Sequence, residues 1–420
     1  MIQPLRGTKD ILPNEILIWQ HIYKVANEVL TISNYQEIRT PILENTNLFE
    51  RVIGDETDIV NKEMYTFKDK GQRNITLRPE GTASIARAFI TNKLYTKSNL
   101  NRLWYLGPMF RYERPQKGRQ RQFHQLGIEC IGSQNYIADV EVIRLAIKIL
   151  ESFKLFDYKL EINSIGDSKE RKKYKETLIK YLNKYKQDLD EDSKRLQINP
   201  LRILDSKDKK TQEILLHAPT LKSCLEKISL DHFNNICEHL TYLNIPYQIN
   251  EQLVRGLDYY NYTAFEIKTN TLNNQNTICG GGRYDQLIEE LGGPKTPSVG
   301  WAIGIERLIL LIKEILQIQN KEPAIYIIAQ GIEAEKKVWD IINTCEKNEI
   351  IFLLDLQNNN LKKQLKKASQ TTTKVCLILG DNEISNNYCT VKWLTNGNQE
   401  IINFDQFDKY IKKNKNLIIN

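Results

Sequence analysis

At 420 residues the chain is long enough for two or three domains and a substantial core. Hydrophobic residues make up 41% and charged residues 26%, which excludes the disordered and fibrous classes. Lys and Arg exceed Asp and Glu by 59 to 52, and the net charge of +7 points either to a polyanionic partner or to a merely solubilising excess of lysine.

The chain opens at Pro13 to Ile32 with Ile16, Ile18, Trp19, Ile22, Tyr23, Ala26, Val29 and Leu30 at helical spacing behind a first-turn proline, which predicts a long amphipathic helix. Tyr35 to Pro41 reads as a strand stopped by proline, and Gly54 to Asp58 as a polar loop. Strands follow at Glu63 to Phe67, Asn74 to Leu77, Leu103 to Tyr112 and Phe123 to Ile131, and their succession without crossover helices predicts an antiparallel sheet. Asp139 to Phe153 is a second amphipathic helix. From Lys169 to about Leu243 the pattern is helical and highly charged, as in an inserted helical subdomain, for which bounds of about 169–245 are expected. Strands return at Tyr262 to Lys268 and Val299 to Ile303, with a helix from Gly304 to about Ile318 and a linker at Asn320 to Pro323. Beyond it, strands at Ala324 to Ala329, Ile350 to Leu354 and Lys374 to Leu379 alternate with helices at Glu333 to Cys345 and Leu361 to Ala368, which predicts a small α/β domain with a parallel core. The expected division is 1–322 and 323–420.

Seven cysteines form no CxxC pair, and their odd number argues against a disulfide framework. His232, Cys237 and His239 lie close together without a zinc spacing, so neither zinc nor any dedicated metal site is expected. No apolar run approaches the ~18 residues of a membrane span, and no signal or transit segment precedes the first helix. A soluble protein of a reducing compartment with no membrane partner is expected.

There is no GxxxxGK[ST] and no strand-linked GxGxxG, so neither a P-loop nor a dinucleotide fold is supported. Gly280-Gly281-Gly282-Arg283 reads as a tight turn between strand and helix. Leu103 to Arg114 and Phe123 to Ile131 form a hairpin with a cationic tip, Pro115 to Gln122. On its second strand Gln125 and Glu129 share one face, and Leu126, Ile128 and Cys130 the other, an alternation that a plain solvated hairpin also explains. Leu253-Val254-Arg255-Gly256-Leu257-Asp258-Tyr259-Tyr260 sets an arginine before a glycine and two aromatics. Arg307 falls in the first turn of the helix after Val299 to Ile303. A helix N-terminus is electropositive, so a bound anion would explain an arginine there, as would an ordinary surface position.

In order, these segments resemble the motifs of class II aminoacyl-tRNA synthetases and, more narrowly, of the histidyl-tRNA synthetase family. The opening Arg6 to Pro13, motif 1 at Tyr35 to Pro41, the amino-acid-binding loop at Leu77 to Thr82 and motif 2 at Phe110 to Arg114 with Phe123 to Gln125 all have counterparts. So do motif 3 at Pro297 to Leu308 and two histidine-specific blocks, Leu253 to Tyr260 and Gly281 to Asp285. The resemblance implies an α+β chain: an antiparallel-sheet catalytic core of class II synthetases with a helical insertion, plus a C-terminal α/β anticodon-binding domain. It implies histidine–tRNA ligation with ATP and Mg²⁺, Mg²⁺ being held chiefly by the phosphates, with L-histidine and tRNA(His) as partners and a homodimer built on motif 1. By the same resemblance Arg111 holds the α-phosphate, Arg255 bridges histidine's carboxylate and the α-phosphate, and Arg307 takes the γ-phosphate. Glu80, Gly81, Thr82 and Gln125 form the α-amino and carboxylate contacts, Glu129 and Tyr260 grip the imidazole, and Tyr259 and Tyr284 shape the pocket. Arg119 meets ATP, and Arg114, Gln116 and Arg121 the tRNA acceptor end. The alternative is a histidine-sensing regulatory paralogue without aminoacylation activity. Such paralogues lose motif residues and the C-terminal domain, whereas Arg111, Arg255, Arg307 and 324–420 are all present. The stretch from Glu37 to Glu129 looks most like the cyanobacterial and plastid branch, so a plastid stroma or a bacterial cytoplasm is expected.

Overall fold

The computed structural model describes residues 1–54, 57, 59–116, 118–185, 188–189, 200–206, 208–253, 259–271, 276–316, 318, 322–357 and 360–419. Arg255, with the rest of 254–258, lies outside the described residues, as do most of the polar loop at Gly54 to Asp58 and residues 320 and 321 of the expected linker. The chain divides into two compact units, Met1–Ile318 and Gln319–Asn420.

In the first unit, α1 (Pro13–Ile32) starts with proline behind an extended Leu12 and buries Ile22, Val25, Ala26 and Leu30. Asn34, at φ 60°, closes it: the Asn34 and Tyr35 N–H groups donate to the Thr31 and Leu30 carbonyls at 2.9 Å, the paired bonds of a Schellman end. The strand expected over Tyr35 to Pro41 shrinks to β1 (Gln36–Glu37), because past Ile38 the backbone turns to the buried Arg78. Arg78 donates through its guanidinium to the Thr40 carbonyl at 3.0 Å and through its own N–H to that of Ile42 at 3.0 Å. Next come β2 (Leu43–Asn45), α2 (Thr46–Ile53), β3 (Tyr65–Lys68) and β4 (Asn74–Leu77). The two expected strands here are β3 and β4, but with β2 they make a separate three-stranded sheet.

Seven further strands, β5 (Asn101–Phe110), β6 (Gln122–Ile131), β7 (Lys159–Gly166), β8 (Tyr247–Ile249), β9 (Asn261–Lys268), β10 (Thr277–Arg283) and β11 (Ser298–Gly304), join β1 in the main sheet. Its order is β1-β5-β6-β11-β10-β9-β7-β8. The interior pairs are antiparallel, as expected, while the edge pairs β1 with β5 and β7 with β8 are parallel. Around the sheet run α3 (Thr82–Thr91), α4 (Tyr136–Ser152), α5 (Ser168–Leu182), α6 (Lys209–Leu215), α7 (Lys227–Tyr242), α8 (Leu287–Glu290) and α9 (Ile305–Ile312). Helix α4 starts before Asp139, because the Asn135 side chain caps it by accepting the Ile137 N–H at 2.9 Å. Helix α9 ends at Ile312, short of the expected Ile318.

One face of the sheet packs Leu126, Ile128 and Cys130 of β6 against Ile22 and Ala26 of α1, Ile143 and Ile147 of α4, and Phe233, Ile236 and Leu240 of α7. The other face carries a second cluster, with Tyr105 of β5, Ile85 and Phe89 of α3, and Tyr174, Leu178 and Leu182 of α5. The run Gly280 to Arg283 is not a turn but the end of β10, in register with Ala302 to Val299 of β11. Its glycines answer to tertiary packing that no local pattern reveals. A Cβ on Gly281 would collide with the Gly300 carbonyl, Trp301 and Phe265, and one on Gly282 with the Thr263 carbonyl and the Tyr260 ring.

The second unit is a five-stranded sheet, in order β13-β12-β14-β15-β16, of β12 (Ile325–Ala329), β13 (Phe352–Leu354), β14 (Val375–Leu379), β15 (Tyr388–Trp393) and β16 (Gln399–Asn403). The first three are parallel, as the α/β alternation predicts, and β15 and β16 extend the sheet antiparallel. Helices α10 (Ile332–Lys347) and α13 (Phe404–Ile419) pack with one core cluster, with α12 (Asp381–Ser385) beside them, and α11 (Leu361–Ala368) packs with the other. Asn360 caps α11 by accepting the Lys363 N–H at 3.0 Å, and Lys362, Lys363 and Lys366 are exposed.

Candidate active site

On the face of the main sheet opposite α1 and α4, side chains give way to bare backbone. Two-residue alternation puts Gln125, Gly127 and Glu129 of β6 on this face, with Gly304, Ala302 and Gly300 of β11 as their register partners and Gly280 and Gly282 next to those on β10. This floor lies under a cleft lined by Glu80, Thr82, Arg111, Glu113, Arg119, Phe123, Gln125, Tyr259, Tyr260, Gly280, Ala302, Gly304, Glu306 and Arg307. A flat, glycine-paved floor lets a ligand lie directly on the sheet.

The basic end of the cleft is built by the β5–β6 connection and the first turn of α9. The Arg111 Nε donates to the Pro79 carbonyl at 2.9 Å, and its guanidinium lies 5.2 Å from the centre of the Phe123 ring. Arg119 Nη1 is 3.2 Å and Arg111 Nη1 3.9 Å from the carboxylate of Glu113. Arg307 donates to the Thr277 carbonyl at 2.7 Å. Burial, reinforced by the positive charges of Arg119 and Arg111, lowers the pKa of Arg307. Three guanidiniums thus face the cleft around one carboxylate, an arrangement suited to a polyanion. Beside them Glu306 accepts both the His124 backbone N–H and a bond with its Nδ1, each at 2.9 Å, tying the start of β6 to α9.

The other end is aromatic and acidic. Glu80 sits at the start of α3, where it accepts the N–H groups of Thr82 at 2.8 Å and Ala83 at 2.7 Å, the geometry of a helix cap. Gly81 separates it from Thr82. Burial raises the Glu80 pKa against those bonds. The Gln125 Oε1 faces no hydrogen-bond donor. Glu129 is 1% exposed and lies behind the lining residues, accepting the Thr82 hydroxyl at 2.8 Å and the hydroxyl of Tyr284. Burial pushes its carboxyl up to about 8. The rings of Tyr259, Tyr260 and Tyr284 contact one another, with centroids 4.7–6.5 Å apart.

Glu80, Thr82, Arg111, Arg119, Gln125, Tyr259, Tyr260 and Arg307 therefore meet in one cleft, and Glu129 and Tyr284 lie just beneath it. Arg114 and Gln116 are exposed on the connecting loop, where Gln116 and Arg119 bridge through paired backbone bonds. Arg121 is folded back: its guanidinium stacks on Tyr112 at 3.9 Å, and its N–H donates to the Gly7 carbonyl at 2.7 Å. Three features have no role assigned from the sequence. One is Tyr105, on the cleft face opposite Gly127, and another the Glu306–His124 tie. The third is Arg283, fully buried, which clamps Asp139, Asp285 and the Ser133 carbonyl and so holds the end of β10 beside Tyr284. Burial opposes ionisation of Asp139, but Arg283 and His232 outweigh it and hold its carboxyl at about 2.

A largely antiparallel sheet with this cleft, followed by a small α/β unit, defines the architecture of class II aminoacyl-tRNA synthetases. A family model described as histidyl-tRNA synthetase matches residues 7–308, and one described as an anticodon binding domain matches residues 324–414. The chain is 61% identical to the chloroplastic histidine–tRNA ligase of Gracilaria tenuistipitata var. liui over 98% of both chains. It is 52% identical to the histidine–tRNA ligase of Acaryochloris marina over 96% of this chain and 94% of that one. The crystal structure of apo S. aureus histidyl-tRNA synthetase, 38% identical, covers 98% of this chain and 100% of that one with a TM-score of 0.80. The chain belongs to the histidyl-tRNA synthetase family.

Proposed function

We propose that this chain activates L-histidine with ATP, releasing pyrophosphate, and passes histidine from the adenylate to the 3′ end of tRNA(His), as a histidine–tRNA ligase. One observation carries the reading: the three-guanidinium end and the Tyr–Glu end occupy the same glycine-floored cleft, so a triphosphate and a small polar amino acid can lie side by side.

In this reading Arg111 takes the α-phosphate and Arg307 the γ-phosphate, with Arg119 beside them. The attack of the carboxylate on phosphorus places charge on oxygens that these fixed forks already face. Arg255, by family resemblance, bridges carboxylate and α-phosphate. Glu80, Thr82 and the unfilled Gln125 Oε1 receive the α-amino and carboxylate groups. Glu129 and Tyr260 take the two imidazole nitrogens, since one is a donor and the other an acceptor. Of the carboxylates lining the cleft, Glu113 is engaged by Arg119, Glu306 by His124 and Glu80 by the start of α3. That donor set fits Mg²⁺ arriving on the ATP phosphates rather than in a protein cage.

The catalytic domain is assigned to 1–322, with the insertion at about 169–245, and the anticodon-binding domain to 323–420. Arg114, Gln116 and Arg121 are assigned to the acceptor end, and a homodimer forms through the motif 1 region. Chloroplastic and cyanobacterial relatives support a plastid stroma or a bacterial cytoplasm as its place of action. No helix among the described residues is long and apolar enough to cross a membrane. Charging of a tRNA(His) transcript with labelled histidine tests the reading. Acid-stable transfer to RNA should require both ATP and this tRNA, and absence of transfer would contradict it.

A further inference from the structure

Tyr105 has no part in the roles above, yet it lies at the centre of the amino-acid end. It stands on β5 opposite Gly127 of β6, in the row that places Gln125 and Glu129 on the cleft face. Its ring tip fits between Gly81 and Gly127, where a Cβ on either residue would collide with the phenol carbon and hydroxyl. The residue is 5% exposed, and its hydroxyl has no hydrogen-bond partner, although buried hydroxyls are nearly always paired. Around it stand the carboxyl groups of Glu129 and Glu80 and the hydroxyls of Thr82 and Tyr260.

Both oxygens of Glu129 already accept hydroxyls, one from Thr82 and one from Tyr284. Thr82 lines the cleft while Glu129 does not, so Thr82 stands between an incoming ligand and the carboxylate. A ligand N–H that enters from the cleft competes with the Thr82 hydroxyl for that oxygen, and a hydroxyl displaced from it needs another acceptor inside the protein, because a buried hydroxyl left unpaired is costly. The Tyr105 oxygen, which takes part in no formed hydrogen bond but lies within reach of the Thr82 hydroxyl, is such an acceptor.

We propose that Tyr105 is a positioning residue of the amino-acid pocket, its hydroxyl receiving that of Thr82 when a bound imidazole N–H takes the place of Thr82 on Glu129. The proposal rests on reading the cleft as a histidine site. It is tested on the full chain with Tyr105→Phe, Thr82→Ala and the double variant, by calorimetric titration with L-histidine and with ATP and by melting without ligand. Tyr105→Phe should weaken histidine about tenfold, the size of one lost hydrogen bond. ATP affinity should not change, and melting should stay the same or rise, because no hydrogen bond of the free protein is removed. The double variant should bind histidine no more weakly than the poorer single variant, since both substitutions interrupt one exchange. Unchanged histidine affinity in Tyr105→Phe would overturn the proposal, and so would lower melting with both ligands weakened alike, the mark of a purely structural residue. If the unaltered chain bound no histidine, the reading of the cleft would fail first and this proposal with it.

Discussion

Replacing Glu129 by alanine tests the amino-acid end of the cleft most sharply. The substitution removes the acceptor of the Thr82 hydroxyl, 2.8 Å away, and of the Tyr284 hydroxyl, both in a site closed to water. A buried hydroxyl without a partner costs about 1–3 kcal/mol, so the two together cost about 2–6 kcal/mol. Part of this is offset because the variant no longer buries a carboxyl whose ionisation the site already resists. A net loss of about 1–4 kcal/mol leaves a domain of this size folded at room temperature. On the ligand side, the imidazole N–H loses its acceptor and the pocket keeps a polar lining without a match, worth about 2–3 kcal/mol, or roughly 30- to 150-fold in histidine affinity. The guanidiniums are untouched, so ATP affinity should stay within about threefold. Equilibrium titration with each ligand, normalised to folded protein by circular dichroism, reads both effects. Equal weakening of histidine and ATP would refute the reasoning and make Glu129 a structural residue.

Arg307→Ala should slow histidine-dependent ATP–pyrophosphate exchange about 10²- to 10³-fold with little change in melting, and a rate near that of the unaltered chain would remove Arg307 from the phosphate site. Burial raises the Glu129 pKa from its ordinary 4.5 to about 8, so the folded chain holds a proton that the unfolded chain sheds. This contribution to stability is complete below about pH 4.5 and is lost as the pH rises towards 8, so melting of the unaltered chain should fall relative to Glu129→Gln over that window; parallel melting curves would contradict the assignment. Truncation after Gln319 removes a unit with its own core, so adenylate formation should persist while tRNA charging is lost, and full charging by the truncated chain would end the anticodon assignment. In the intact chain, charging should fall steeply with added salt while adenylation should not, and equal salt slopes would count against a phosphate-dominated tRNA contact.

Where local pattern and tertiary demand agree, the sequence was a sufficient guide. The proline start and 3.6-residue period of Pro13–Ile32 give α1 its bounds, and the two-residue alternation that pairs Gln125 with Glu129 survives because the opposite face, Leu126, Ile128 and Cys130, is core. The arginine in the first turn of α9 drew attention to the right end of the cleft, where Arg119 and Arg111 lie beside it and the Glu113 carboxylate acts on it as well. Glycine misled where its reason lay in another strand: Gly281 and Gly282 are small because Trp301, Phe265 and Tyr260 press on them, not because the chain turns. Asp139 looked like the start of a helix, but it is the buried partner of an arginine 144 residues away. The alternation on the hairpin, which a plain solvated hairpin would also have explained, is split by the fold, with Arg114 outside and Glu129 sealed in. Tyr105 gave no signal at all, because a tyrosine in an apolar strand reads as core until the missing partner of its hydroxyl is seen.

The most direct measurement is ATP–pyrophosphate exchange by the full-length chain with Mg²⁺ and each standard amino acid in turn. Exchange should depend on histidine, with every other amino acid near background, because no other standard side chain presents a flat ring with a donor nitrogen on one edge and an acceptor nitrogen on the other to the Glu129 and Tyr260 end of the cleft. No exchange with histidine, or equal exchange with another amino acid, would contradict the assignment of this cleft as the site of histidine activation.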